Sequence, residues 1–397
     1  MVVTGRHAHF ASFPASICGL LIMALCMGAL LALPASAYGV ELDEPELTEA
    51  DAAVLLDKGG NVLYAKEPEK REHPASITKV MTAMCVLDSG HKLDEVVDIT
   101  APDLGENSQM GDYATGDKIT LGELLQVMLV YSGNDAAWNA GVYVAGSEEA
   151  FVDLMNKKAA QIGMDHTHFA NCHGLEDDNH YSCAYDIALM GRYALEHYPY
   201  IAQTVVNHTV EAHVYDEVLV LNSTDRLLDT FDGIRGIKTG AIVNNYTFLG
   251  ASGRGNTQLY TSVLGCQTFM GRFDDAAALM EWGYEHYQDK VLTRGNWVTR
   301  VEPYALDLGQ KAILVSEQDF TGSVWPSMGK FGYSTVLNRP HHLLDVGQTY
   351  GWTSWRQSGS DLGFAYYTTR PAPQAVSSWP VFELPLFSDV STLGRLS

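Results

Sequence analysis

Basic residues are scarce in this 397-residue chain: 25 Lys and Arg stand against 48 Asp and Glu, a formal net charge of −23. Such a balance argues against nucleic acid as a partner, because its phosphates would be repelled. It argues equally against docking on anionic lipid through a basic patch. Cysteines are few, six in all, and no two stand in a Cys-x-x-Cys spacing, so the common zinc pattern is missing. No internal repeat or low-complexity tract is present. Charged residues amount to 18 % and hydrophobic ones to 46 %, a globular composition without disordered or collagen-like bias. The C-terminal segment Trp379 to Phe387 holds two prolines and ends in polar residues, which makes it a poor membrane helix.

What is present begins with a leader. Arg6 is the only formal charge in the first 37 residues, Ile17 to Leu33 is apolar, and Pro34-Ala35-Ser36-Ala37 ends in an A-x-A pattern. This reads as a signal peptide over residues 1–37, cleaved before Tyr38. A retained anchor is the alternative, though the apolar run is short for a span. Of the cysteines beyond it, Cys172 and Cys183 lie close together and are candidates for a bridge in an exported chain. Cys85 and Cys266 sit in apolar surroundings and read as packed thiols.

Ala53 to Leu56 and Asn61 to Tyr64 flank a glycine-bearing turn, a hairpin signature. The stretch Asp94 to Asp117 is polar and reads as loop or short edge strand. Thr120-Leu121-Gly122-Glu123 has the form of a capping box opening a helix. Helical stretches are predicted at Ala136 to Val144 and Ala150 to Ile162, and strands at 204–221, around Gly233 to Leu249, and at Leu259 to Gly265. A helix follows from Arg272 to Tyr287. Beyond about residue 290 helical periodicity gives way to short alternating runs with Gly, Pro and Ser, which reads as a separate β-rich domain over 290–397.

Three stretches carry chemistry. In His73-Pro74-Ala75-Ser76-Ile77-Thr78-Lys79, Ile77, Val80, Met81 and Met84 follow the period of one buried helical face. Pro74 suits a helix entry. Ser76 and Lys79 then project from the same side. A serine hydroxyl needs a base to become a nucleophile, and a lysine amine serves if burial or neighbouring cations lower its pKa. Ser132-Gly133-Asn134 forms a polar turn between two apolar helices; Ser132 can relay a proton and Asn134 can grip an amide, both without formal charge. In Lys238-Thr239-Gly240 a fixed cation and a hydroxyl precede a glycine that lets substrate approach the backbone. Singly, each has an ordinary structural reading: an N-cap serine, a helix cap, an exposed lysine at a turn. His166, His168, His173 and His180 crowd one polar loop with several carboxylates, but none has the helical His-x-x-x-His spacing. No metal and no cofactor are called for.

Ser-x-x-Lys, Ser-Gly-Asn and Lys-Thr-Gly in this order are the motif set of penicillin-binding proteins and class A β-lactamases, with a closely related middle element. The chain resembles the low-molecular-mass penicillin-binding proteins that act as serine-type D-alanyl-D-alanine carboxypeptidases. The likeness runs over roughly residues 45–290 and takes in Met155-Asn156-x-Lys158-Ala159, Thr167-x-Phe169, His173-Gly174-Leu175, Tyr181-Ser182, Asn222 to Leu228 and Arg272-Phe273. It implies an α+β, β-lactamase/transpeptidase-like catalytic domain over 38–289, an antiparallel sheet flanked by helices, with the smaller β-rich domain behind it. It further implies Ser76 as nucleophile, Lys79 as general base and Ser132 as proton relay. Asn134, Lys238, Thr239, Gly240, Ala241 and Arg272 would bind substrate, the N–H groups of Ser76 and Ala241 forming the oxyanion hole. The implied substrate is the peptidoglycan stem peptide, with β-lactams as covalent inhibitors, near the cell wall outside the cytoplasmic membrane. Where the family usually has Thr and then Ala-Gly after its third motif, this chain has Ile242 and Asn245-Tyr246; Cys172 takes the place of a proline. The alternatives are a penicillin-binding wall protein or sensor with weak turnover, and a β-lactamase. The latter is disfavoured by the Ser-Gly-Asn form and by the lack of a Glu-x-x-x-Asn motif ahead of Lys238.

Overall fold

The computed structural model describes residues 42–371 apart from 101, 103, 106–107, 216, 296–297, 304–310, 330, 338–346 and 348. The leader over 1–37 and the segment Trp379 to Phe387 lie outside the described residues. Strands β1 (Ala52–Asp57) and β2 (Val62–Lys66) form the expected antiparallel hairpin. Its turn is tied by Asp57, whose carboxylate accepts from the Asn61 backbone and side chain at 2.8 and 2.9 Å. A single 3₁₀ turn, Ala75–Ile77, then leads into α1 (Thr78–Asp88). The apolar period predicts one buried face here, but every residue from Thr78 to Val86 is buried. A helix enclosed on all sides is the central element of its domain.

The polar stretch contributes one short strand, β3 (Val96–Asp98), paired with β4 (Lys118–Thr120). Thr120 caps α2 (Leu121–Gln126), its hydroxyl accepting from Glu123 N at 3.2 Å. The reciprocal half of the capping box is absent, because the Glu123 carboxylate is engaged by the Tyr113 hydroxyl and by the backbone and ring of His213. After a π-helical turn, Val127–Tyr131, come α3 (Asn134–Ala145) and α4 (Glu148–Ile162). Beyond the histidine-rich loop lie α5 (Ala184–His197), α6 (Pro199–Thr204), the hairpin β5 (Thr209–Val214) and β6 (Glu217–Asn222), and α7 (Leu227–Thr230). Strands β7 (Ile234–Ile242), β8 (Asn245–Arg254) and β9 (Thr257–Cys266) precede α8 (Gly271–His286).

The main sheet is antiparallel in the order β2-β1-β9-β8-β7, so the first hairpin joins the last three strands. Alternation along β1 divides its side chains between the two faces. Val54 and Leu56 join the large cluster around α1 and α5, whereas Ala53 and Leu55 pack with Phe248, Phe273 and Leu279 under α8. Helices thus cover both faces, an α+β arrangement. Strand β7 ends the sheet and borders the Ser76 turn.

From Gln288 on, the regular elements among the described residues are all strands. Strand β10 (Gln288–Thr293) precedes β11 (Val298–Pro303), β12 (Lys311–Ser316) and β13 (Phe320–Val324), and β10 pairs with β13. With β14 (Phe331–Leu337), β15 (Thr349–Gln357) and β16 (Ser360–Pro371), a second sheet forms in the order β11-β12-β16-β15-β14. This region meets the first hairpin at Ser360, whose hydroxyl donates to Asp57 and accepts from Asn61, both at 2.8 Å. Trp325 packs edge-on against Trp282 of α8. Among the described residues no helix is long and apolar enough to cross a membrane.

Candidate active site

Ser76 lies in the 3₁₀ turn, and Lys79 stands one turn further on, wholly buried. Its Nζ is 2.8 Å from Ser76 Oγ, 2.6 Å from Asn134 Oδ1 and 2.6 Å from the carbonyl oxygen of His173. Burial drives the amine down to about 7, against weaker opposing fields from Cys172 and Asp135. A neutral amine has two N–H groups and one lone pair. Nζ donates to all three neighbours, and once the amine is neutral its lone pair can take the Ser76 proton instead.

Backbone strain shapes this corner. Ala75 has φ 49°, and Gly174 has φ 88° where it passes beneath. A Cβ on Gly174 would fall 2.0 Å from Ala75 O, so only glycine lets the 172–174 segment come close enough to offer its carbonyl to Lys79. That segment is held by the Thr82 hydroxyl on Cys172 O at 2.6 Å and by Asn171 Oδ1, which accepts from Gly174 N at 2.7 Å. Glu148 Oε1 accepts from Cys172 N at 3.2 Å and lies 3.3 Å from His173 Nε2. Glu148 is held near 2: His173 and the Cys172 groups outweigh the upward pull of burial.

The π-helical turn ends at Ser132, which adopts φ 77°. This kink turns the chain sharply enough to aim Asn134 inward at the head of α3. The Asn134 amide donates to Ser108 Oγ at 2.7 Å, and its backbone N–H donates to Gln109 O at 2.8 Å. Asp135 fixes the same loop by accepting from Gly111 N at 2.7 Å. No hydrogen bond ties the Ser132 hydroxyl to Ser76 or Lys79, although Ser132 lines the same cleft.

Across the cleft runs β7. Thr239 Oγ1 is 2.6 Å from Thr224 Oγ1. Gly240 has no room for a side chain, since a Cβ would meet Thr247 Oγ1 at 2.2 Å and Pro74 O at 2.8 Å. Lys238 is 1 % exposed and donates to Thr239 O at 3.0 Å. Burial, with Lys79 and Arg272 adding to it, pushes Lys238 well below the usual lysine range. Arg272, on the first turn of α8, donates through Nη1 to Gly240 O at 2.6 Å and faces the ring of Phe269. Burial brings it down to about 10.

A cleft of about 490 Å³ gathers Ser76, Ser132, Asn134, Thr239, Gly240, Ala241 and Arg272 in its walls. Lys79 and Lys238 sit behind that surface rather than in it. The cleft adds Ser108, Gln109, Leu175, Thr224, Arg226 and Phe269, for which the sequence alone assigns no role. Ser108 and Gln109 sit in a stretch legible only as loop; the single pointer to them is the inward-turned Asn134.

The described cysteines, Cys85, Cys172, Cys183 and Cys266, are all free and buried, so the candidate bridge between Cys172 and Cys183 is not formed. Cys183 instead caps α5, its sulfur accepting from Asp186 N at 3.5 Å. His166, Cys183 and Asp186 bring ligand atoms within 4.8 Å of one another. Asp186 Oδ2 already accepts from His166 N and Thr167 Oγ1 at 2.8 and 2.7 Å. These groups therefore serve the loop.

Residues 40–268 match the protein family described as D-alanyl-D-alanine carboxypeptidase. The chain is 32 % identical over 257 residues to the D-alanyl-D-alanine carboxypeptidase DacF of Bacillus subtilis, a match covering 62 % of this chain and 65 % of that one. Among solved structures, a penicillin-binding protein of Listeria monocytogenes in its ampicillin-bound form superposes with a TM-score of 0.55 at 30 % identity, over 61 % of this chain and all of that one. Penicillin binding protein 5 of Haemophilus influenzae has a TM-score of 0.61 at 23 % identity over 83 % of this chain and 98 % of its own, a likeness of fold.

Proposed function

The chain belongs to the D-alanyl-D-alanine carboxypeptidase family, and from that premise we propose that it removes the terminal D-alanine from peptidoglycan stem peptides through an acyl-enzyme on Ser76. The observation that carries the reading is the Ser76–Lys79 pair: a hydroxyl 2.8 Å from a buried amine brought down to about 7. A base poised near neutrality is what general-base catalysis at neutral pH requires.

In this reading the neutral Lys79 amine takes the Ser76 proton as Oγ attacks the penultimate D-Ala carbonyl carbon. The developing oxyanion is met by the N–H groups of Ser76 and Ala241; one such donor is worth about 3 kcal/mol in comparable hydrolases. Collapse breaks the peptide bond, and Ser132 passes the proton to the leaving amine. Asn134, fixed between Lys79 and Ser108, holds the substrate amide. Lys238, Thr239 and Arg272 receive the terminal carboxylate. Water then attacks the ester, with Lys79 again the base, and Ser76 regains its proton. A β-lactam acylates Ser76 by the same route. Residues 38–289 form the catalytic domain and 290–397 a β-rich domain behind it. A leader over 1–37 exports the enzyme to the wall.

The test is D-alanine release from a diacetyl-lysyl-D-Ala-D-Ala peptide by the purified 38–397 protein, with Ser76→Ala alongside. Release that disappears in Ser76→Ala is expected. No release by the wild-type protein would overturn the reading.

A further inference from the structure

Outside the walls of the cleft stands a carboxylate to which the mechanism gives no part. Glu148 is the first residue of α4. Its Oε1 accepts from Cys172 N at 3.2 Å and from Cys172 Sγ at 3.3 Å, and lies 3.3 Å from His173 Nε2. The helix itself does not call for this arrangement. Ser147 already caps α4, its hydroxyl accepting from Ala150 N at 3.2 Å, and the exposed Glu149 supplies negative charge to the same helix end. Glu148 is turned instead to the 172–173 segment.

That segment has few other restraints. Cys172 O accepts from the Thr82 hydroxyl, while His173 N and Gly174 N both donate to Asn171 Oδ1 inside the same loop. Leu175 N donates to His173 Nδ1 at 3.2 Å, which leaves the neutral ring's proton on Nε2, facing Glu148. Without the Glu148 carboxylate, the Cys172 N–H and the His173 Nε2–H, both in buried residues, lose their acceptor. Orphaned donors are costly in a dry interior, so the segment must shift to satisfy them. Its position matters because His173 O lies 2.6 Å from Lys79 Nζ. With one N–H on that carbonyl and another on Asn134 Oδ1, the neutral amine keeps its lone pair for the Ser76 proton. A carbonyl that withdraws lets the amine turn away.

We propose that Glu148 is a positioning residue for the general base: it clasps Cys172 and His173 to the head of α4, so that the His173 carbonyl holds Lys79 with its lone pair on Ser76. The inference rests on acyl-enzyme chemistry at Ser76.

The test is the rate of acylation by a fluorescent penicillin at pH 8, counted per titratable active site, in Glu148→Ala, Glu148→Asp and Glu148→Gln. Glu148→Asp keeps the charge at the helix end but is one methylene too short for the segment. Glu148→Gln keeps the reach and an acceptor oxygen without the charge. We expect Glu148→Ala and Glu148→Asp to acylate roughly 10–100-fold more slowly, the scale on which a small misplacement of a reacting group tells. Glu148→Gln should recover most of the lost rate. Affinity for a diacetyl-lysyl-D-Ala-D-Ala peptide, read by calorimetry in a Ser76→Ala background, should not change on adding Glu148→Ala, since Glu148 does not line the cleft. Unchanged rates per site, rescue by Glu148→Asp rather than Glu148→Gln, or a loss of peptide affinity as large as the loss of rate would each overturn the proposal. Should Glu148→Ala fail to fold, the contrast between Glu148→Asp and Glu148→Gln decides. The unsubstituted protein, measured alongside, separates the levels. Acylation without a Glu148 effect refutes the clasp alone, whereas absence of acylation refutes the acyl-enzyme reading and this inference with it.

Discussion

Raising the pH from 6 to 8 should accelerate acylation of Ser76 by a penicillin about tenfold, because the reactive form of Lys79 is its neutral amine. The magnitude follows from burial. Lys79 is brought from the usual 10.5 down to about 7, so roughly a tenth of it is neutral at pH 6 and nine tenths at pH 8. The sign is that of a base: the rate rises through about 7 and then levels. An unshifted lysine would instead give a rate still climbing tenfold per pH unit at pH 9. Two nearby histidines cannot mimic the inflection, since burial holds both His173 and His180 below the ordinary histidine range. Asp225→Asn, which removes a carboxylate raised to about 6, should leave the inflection in place. The assay is stopped-flow acylation by a fluorescent penicillin between pH 5.5 and 9.5. A flat profile, or an inflection near 10, would refute the assignment of Lys79 as base.

Other consequences are open to direct measurement. Lys79→Ala should retain the fold by circular dichroism yet lose about 10²–10⁴ in acylation rate, the usual worth of a positioned base; a loss below tenfold would contradict the role. Gly174→Ala should destabilise by more than the roughly 1–3 kcal/mol of a strained backbone, because its Cβ would also strike Ala75 O; an unchanged urea midpoint would contradict the packing. Asp275→Ala should cost about 1–3 kcal/mol, since the backbone N–H groups of Thr48, Glu49 and Ala50 converge on its carboxylate at 2.9, 2.9 and 2.6 Å, and the buried one, of Ala50, would be orphaned. A midpoint shift no larger than a surface substitution gives would count against it. Cys85, Cys172, Cys183 and Cys266 should react with a thiol reagent only after denaturation, as they are buried and free; a missing pair of thiols in the denatured protein would reveal a bridge.

Much of this was legible in the chain, and the physical reasons differ by element. Helices with strong local signals were placed closely. Thr120 marks a helix start by its own chemistry, and a cap acts within one turn. The three motifs carry order and residue type, which suffices to recognise a family. Their depth is not local information. Nothing in Lys238-Thr239-Gly240 says that the lysine lies behind the cleft wall while the threonine lines it; that follows from β7 packing on the Ser76 turn. The sheet order depends on pairing β1 with β9, residues about two hundred positions apart, which no window of sequence contains. Glu123 shows the limit from another side. It fits a capping box by spacing, but His213 and Tyr113, brought in by folding, claim its carboxylate instead.

The central claim is that Ser76 is a nucleophile made reactive by its buried lysine. Peptide mapping by mass spectrometry after brief exposure of the purified protein to benzylpenicillin tests it most directly. A single penicilloyl adduct on the peptide containing Ser76, absent in Ser76→Ala, is expected. An adduct on another residue, or none after prolonged exposure at pH 8, would contradict it.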